Sequence, residues 1–314
     1  MMRALGRVMG WHLESVVPAF VGQLGQWGQA VRAVRAVRAV QGLAAEANPV
    51  DLTSIEAVLF DKDGTLLDFA YTWGRWVRAV EVGMQAAVPG LLHQNSGGPR
   101  EDDFGLGMVF ARSEPIPGSD GVDVVVEDDW YHPESPLAIG SMDEVRTVLA
   151  YHLWRAGVSW DDARPIVARV CQSADADLER HLNLRPVAGL WSFVSVLIEA
   201  GVRLGVVTSD ETGRARAHVR ALGLADVIGS VVGRDRVTVG KPNPEMAMLC
   251  CKELGVAPGR AIVIGDTAAD MRMGRRAGVA ATIRVAGRAA PMMSLADTDL
   301  CVRDYEELLA RIQL

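Results

Sequence analysis

Ile55-Glu56-Ala57-Val58-Leu59-Phe60-Asp61-Lys62-Asp63-Gly64-Thr65-Leu66 decides how the rest of this 314-residue chain is read. A short apolar run, Ile55–Phe60, stops at an acid, as a buried strand does when it reaches the end of a sheet. Asp61 and Asp63 are two apart and the chain is leaving the strand. Gly64 permits a sharp turn there and lets both carboxylates aim at one place. A strand-end carboxylate can attack phosphorus as a nucleophile. A second can protonate the leaving oxygen and then deprotonate water.

The same texture recurs further on. Arg203–Thr208, Val227–Val232, Ala261–Ile264 and Ala281–Val285 are strand candidates. Between them lie helix candidates at Leu190–Ala200, Thr212–Leu222, Pro244–Leu254 and Ala269–Ala277. Gly201, Gly223, Gly255 and Gly278 each follow one of these helical runs, where C-terminal caps belong. Strand–helix alternation predicts an α/β fold, a doubly wound parallel sheet that places ligands beyond the carboxyl ends of its strands.

Three further pieces sit at or just after strand ends. Thr208 and Ser209 offer hydroxyls to a phosphoryl oxygen. Gly240-Lys241-Pro242 supplies a compact cation, one of only three lysines with Lys62 and Lys252. Asp266 and Asp270, four apart across a strand–helix junction, suit Mg²⁺, which takes a few carboxylates with water and phosphate oxygens; N-capping by Asp266 is the alternative.

Taken in this order, the four pieces resemble the haloacid dehalogenase-like hydrolase superfamily, over roughly residues 55–312, and within it the phosphoglycolate phosphatase-like subgroup. The resemblance implies a Rossmann-like core and an Mg²⁺ cofactor. It implies Asp61 as nucleophile and metal ligand, and Asp63 as acid/base lending the metal its backbone carbonyl. Thr208 and Ser209 would bind phosphate, and Lys241 would steady nucleophile and phosphate. Asp266 would hold the metal with Asp270 in support. Dehalogenases lack the second aspartate, so Asp63 points to a phosphatase. The absence of lysine between Lys62 and Lys241 argues against phosphonoacetaldehyde hydrolases, which use an insertion-domain lysine. The implied activity is hydrolysis of a small phosphorylated metabolite through an aspartyl-phosphate, with phosphoglycolate favoured. A phosphosugar mutase and a non-catalytic phospho-ligand-binding module are the alternatives.

The expected organisation is an N-terminal extension, 1–50, and a catalytic core, 51–68 with 186–314. A mostly helical cap domain, 69–185, would carry an acidic insertion, 95–136. Helix faces in the cap run through Val77, Val80, Met84 and Val88, and through Val145, Val148, Leu149 and His152. Thr72 is read as the N-cap of the first cap helix, with packing tryptophans after it. The acidic insertion holds ten acids and two arginines, and Phe104–Phe110 with Val122–Val126 could form a hairpin, a mobile acidic loop being the equal alternative. His132 and His218 are read as surface residues and Cys250 as a packed helix residue.

A net charge of −7 excludes a broadly nucleic-acid-binding surface. No apolar run reaches membrane-spanning length, the nearest being Val187–Ile198. Four cysteines without metal-ligand spacing indicate a reducing, cytoplasmic setting. Val31–Val40 repeats with period three, which makes no fixed buried helical stripe. The extension is read as weakly structured or helical, with organelle targeting as the alternative. A homo-oligomer is left open.

Overall fold

The alternation resolves, in a computed structural model, into a parallel sheet between two layers of helices. The structure describes residues 50–51, 53–88, 135–180, 184–287 and 296–313. The extension up to residue 49 lies outside the described residues. So does the acidic insertion except for its last two residues, and with it the expected hairpin and His132.

In chain order the elements are β1 (Val50–Asp51), β2 (Ala57–Phe60), α1 (Phe69–Ala87), α2 (Pro136–Ile139), α3 (Met142–Arg155), α4 (Trp160–Arg180) and α5 (Leu190–Glu199). There follow β3 (Arg203–Val207), α6 (Thr212–Ala221), β4 (Ile228–Val232), α7 (Glu245–Leu254), β5 (Ala261–Gly265), α8 (Ala268–Ala277) and β6 (Ala281–Val285). The chain ends with β7 (Leu300–Val302), α9 (Tyr305–Arg311) and β8 (Ile312–Gln313). The main sheet runs β4-β3-β2-β5-β6-β7, every pair parallel. β1 and β8 make a separate two-residue parallel pair. The five expected strands and four expected helices all form, with ends shifted by two residues at most. β7 and the β1–β8 pair were not anticipated.

Both faces of the sheet are covered, so β2 reads as a continuous apolar run. Val58 and Phe60 pack with Leu190 and Phe193 of α5 and Tyr305 of α9. Ala57 and Leu59 point the other way, into Met246 and Cys250 of α7 and Met273 of α8. Gly201, Gly223, Gly255 and Gly278 take left-handed φ values and stop the helices that precede β3, β4, β5 and β6. The strand order reverses between β2 and β5, so the switch-point crevice lies beyond Phe60 and Gly265.

Helices α1 to α4 gather around an apolar cluster of their own, with Trp73, Trp76, Val80, Met84, Leu149, Leu153 and Val167 inside it. The two faces read from the sequence turn toward this cluster, and His152 is buried with them. The N-cap of α1 is Asp68, not Thr72: its carboxylate accepts the Tyr71 N–H at 2.9 Å, and Thr72 is buried within the first turn. The start of the helix is set by where the chain leaves the core. Leu67 bridges Pro186, and the Asp68 N–H donates to the Arg185 carbonyl at 2.8 Å. Arg185 also donates Nε and Nη2 to Asp68, at 2.9 and 2.6 Å, so the two crossings are tied side by side. Among the described residues no helix is long and apolar enough to cross a membrane.

Candidate active site

Asp61 is the first residue past β2, and its N–H continues the ladder by donating to Ile264 of β5 at 2.8 Å. Its side chain therefore emerges at the switch point. Asp266 follows β5 directly, and Asp270 sits in the first turn of α8. One oxygen from each of Asp61, Asp266 and Asp270 can be chosen so that all lie within 4.8 Å of one another. Two glycines make this approach possible. A Cβ on Gly64, at φ +82°, would stand 2.2 Å from an Asp266 carboxylate oxygen, and one on Gly265 would stand 2.4 Å from the Asp270 Cβ. Any side chain at either position would push the cluster apart.

Asp266 is not a helix N-cap. That place belongs to Thr267, whose hydroxyl accepts the Asp270 N–H while Asp270 answers with a carboxylate oxygen. The other Asp270 oxygen meets Lys241 Nζ at 2.6 Å, and Lys241 also pairs closely with Asp61. Against the pull of burial, Asp270 and Asp61 raise the Lys241 pKa, so it stays cationic. Burial, with the charges of Asp270 and Asp63 behind it, pushes the Asp61 carboxyl up to about 7 despite Lys241. Burial and then Asp61 and Asp270 push Asp266 well above the usual carboxylate range. Asp266 Oδ1 is buried and has no hydrogen-bond partner among the described residues. Crowded carboxylates, one with an orphaned oxygen, fit a hard divalent cation such as Mg²⁺.

Asp63 turns elsewhere. Its Oδ2 lies 2.5 Å from Lys62 Nζ, and its side chain is outside the three-carboxylate cluster. Burial works to raise this carboxyl, but the Lys62 ammonium outweighs it and holds Asp63 below its ordinary value. Lys62 is fully buried, and its ammonium also reaches Asp210 Oδ2 and His218 Nδ1, each at 3.2 Å. His218 is thus a core residue rather than a surface one. Burial and the neighbouring Lys62 push its imidazole down to about 4, so it is neutral and accepts through Nδ1. Its helix showed the reason: Ala215, His218, Val219 and Leu222 follow the i, i+3, i+4, i+7 spacing of an inward face, and all four are buried.

Thr208, just past β3, lines the crevice with Ser209, Asp61, Asp63, Lys241, Asp266 and Asp270. Leu137, Ile139 and Met142 close it from the helical insertion, and Phe69 and Trp73 from α1. Sequence reading passed over Asp210, which lines the crevice, and Arg284, buried in β6 with Nε donating to the Asp266 carbonyl at 3.0 Å. An arginine inside a fully buried strand is the signal that could have found the latter. Cys250 is packed in α7, and burial pushes its thiol up to about 12.

The parallel sheet gathers three aspartates and a lysine at its switch point, and comparison with known proteins gives the family. The family model for haloacid dehalogenase-like hydrolases matches residues 55–278, and the chain belongs to that family. A phosphoglycolate phosphatase of Rhodospirillum rubrum is 35% identical over 135 residues, covering 43% of this chain and 55% of the relative. An N-acetylmuramic acid 6-phosphate phosphatase of Pseudomonas aeruginosa is 37% identical over 94 residues, covering 30% and 42%. The chain thus spans about half the length of these curated relatives. The crystal structure of a predicted phosphoglycolate phosphatase from Haemophilus somnus superposes with a TM-score of 0.56 at 16% identity, covering 82% of this chain and 97% of that one. At that identity the likeness shows the fold alone.

Proposed function

We propose that the protein is a metal-dependent phosphatase that hydrolyses a small phosphomonoester through an aspartyl-phosphate on Asp61. The observation carrying this reading is Asp61 itself, at the end of an inner strand, paired with Lys241 and within reach of Asp266 and Asp270. An Asp61 oxygen attacks phosphorus, the bond from phosphorus to the ester oxygen breaks, and Asp63 gives the leaving oxygen its proton. Asp63 then takes a proton from water, the resulting hydroxide attacks phosphorus, and the Asp61 carboxylate departs. Thr208 and Ser209 donate to phosphoryl oxygens, and Lys241 balances the charge that gathers there. Mg²⁺, held by Asp61 and Asp266 with Asp270 behind them and the Asp63 carbonyl beside them, would keep Asp61 ionised and neutralise phosphate charge. Asp63 is ionised at rest, which suits the base step. A phosphate dianion beside it raises its carboxyl by like-charge repulsion and prepares the acid step.

The helical insertion, 69–185, is assigned the part of a cap, because its residues 137–142 roof the crevice. The space left between the core and this roof is about 50 Å³. A cap in this place would lift to admit a substrate and close over it.

Phosphoglycolate is the first substrate to test, because a relative bears that name. A bulkier phosphorylated sugar is the second reading, favoured by one feature. The roof contributed by Leu137, Ile139 and Met142 is apolar, and no cation among the described cap residues lines the crevice to meet a second anion. A panel of phosphate monoesters, assayed with and without Mg²⁺ and with Asp61→Asn as control, tests the reading. Metal-dependent release of phosphate from one of them, lost in the variant, is the expected result. Activity that survives in Asp61→Asn overturns it. Transfer of phosphate between sugar hydroxyls in place of release would make the protein a mutase.

A further inference from the structure

Asp63 is connected to the helical insertion by a chain of ion pairs that the reaction does not itself require. In α4, Asp175 accepts the Trp76 indole N–H at 2.8 Å through Oδ1 and faces Arg146 through Oδ2 at 3.6 Å. That same Oδ2 meets Arg214 of the core at 3.3 Å. Arg214 stands 3.7 Å from Asp210 Oδ1, whose partner oxygen reaches Lys62 at 3.2 Å, and Lys62 holds Asp63 at 2.5 Å. The whole path lies largely out of water: the exposure of Asp175 and Arg214 is 14% each, of Asp210 5% and of Lys62 0%. Water screens such pairs little, so a displacement at one end is felt along the chain.

The middle of the path is also well placed. The Lys62 ammonium has three N–H donors and three acceptors around it, Asp63, Asp210 and neutral His218, so its position is fixed by the groups that hold it. Asp210 belongs to the loop that carries Thr208, and its N–H donates to the Thr208 hydroxyl at 3.1 Å. A shift of Arg214 therefore acts on the loop proposed to grip phosphate and on the carboxylate proposed to move the proton.

We propose that Lys62 is the positioning residue for Asp63, and that the Asp175–Arg214–Asp210 chain makes this positioning depend on the cap's seating on the core. The inference rests on the phosphatase reading above. When the cap lifts, Asp175 leaves Arg214, and Asp63 is released from its working orientation. When the cap closes over a substrate, the chain re-forms and the acid/base is set.

The test uses the full chain and two esters. p-Nitrophenyl phosphate expels a leaving group that needs no proton, whereas phosphoglycolate expels an alkoxide that does. Asp175→Asn and Arg214→Gln should lower kcat on phosphoglycolate by about 10- to 100-fold, the scale of a reacting group displaced by an ångström. They should lower kcat on p-nitrophenyl phosphate by about threefold or less, and Arg214→Lys should recover part of the loss. Equal losses on both esters, or a change in KM alone, would overturn the proposal, since a merely loosened cap behaves so. A second measurement does not need turnover. A double-mutant cycle of Asp175→Asn with Lys62→Met in chemical unfolding should depart from additivity by more than about twofold in the equilibrium constant, although the two residues do not touch. Additive effects overturn the coupling. If the wild type hydrolyses neither ester, the phosphatase reading falls, and the cycle alone decides whether the chain is coupled.

Discussion

At Asp61 two demands collide. As the proposed nucleophile it must be ionised, and burial beside other carboxylates resists ionisation. Asn at this position keeps the shape and removes the attacking charge. Asp61→Asn should therefore abolish turnover while the circular dichroism spectrum and melting temperature stay close to those of the wild type; residual hydrolysis above about 1% would count against its role as nucleophile. The same collision gives a pH dependence. The folded Asp61 carboxyl lies at about 7 and its ordinary value is 3.8. A raised carboxyl favours folding at low pH, and that contribution is lost as pH rises through about 7. Mg²⁺ and protons compete for these oxygens. The melting-temperature gain from added Mg²⁺ should accordingly grow between about pH 5 and pH 8. A gain that is flat with pH would mean the cation binds away from Asp61. The gathering of these residues was legible in the sequence because Asp61, Thr208 and Asp266 each follow a strand directly, with Lys241 and Asp270 in the connections beyond. The roles of Lys62 and His218 were not, because the spacing of a short motif says nothing about a helix arriving from 156 residues away.

Elements announce themselves by period, and their ends are set by neighbours. Strands β2 to β6 were readable because short, largely apolar runs alternate with amphipathic stretches closed by glycine. β7 was not, because Leu300-Cys301-Val302 is too short to show a period and pairs only through β6. The start of α1 shows the same limit. Asp68 and Thr72 are both capping residues by type, one helical turn apart, and the pairing of Asp68 with Arg185 selects the first. Asp68→Ala should consequently cost about 0.5–2 kcal/mol in denaturant unfolding, the usual price of an N-cap. It should also loosen the paired crossings between the core and the helical insertion, which would raise KM more than it lowers kcat. A variant as stable as the wild type would show that water replaces the carboxylate at the helix end without loss.

For the whole molecule, charge is distributed unevenly. Residues 95–134 hold ten acids and two arginines, a net of −8, while the complete chain carries −7, so the remainder is near +1. An acidic stretch of this size and the proposed binding of phosphate dianions place opposite demands on the field at the crevice. At 4 Å and an effective dielectric of about 20, one like-charge pair costs about 4 kcal/mol before salt screening. Several such pairs at the phosphate would defeat binding, so these acids are expected to face solvent or a partner. The structure also says where a deletion must stop. Ser135 caps α2 by accepting the Ala138 N–H, and α2 brings Leu137 and Ile139 over the crevice. Replacing residues 95–134 with a short Gly/Ser linker, and leaving Ser135 in place, should keep kcat/KM for a small ester within about tenfold. The competing view has Trp130, Tyr131 or His132 reaching the substrate. Comparing the order of preference across the ester panel for the full-length and linker proteins separates the two. An unchanged order, with melting temperature retained, leaves substrate choice to Phe69, Trp73, Leu137, Ile139 and Met142. A changed order, in a protein that still folds, would make the acidic stretch a specificity element and require its charges to be neutralised, by a basic substrate or by cations, whenever phosphate is bound.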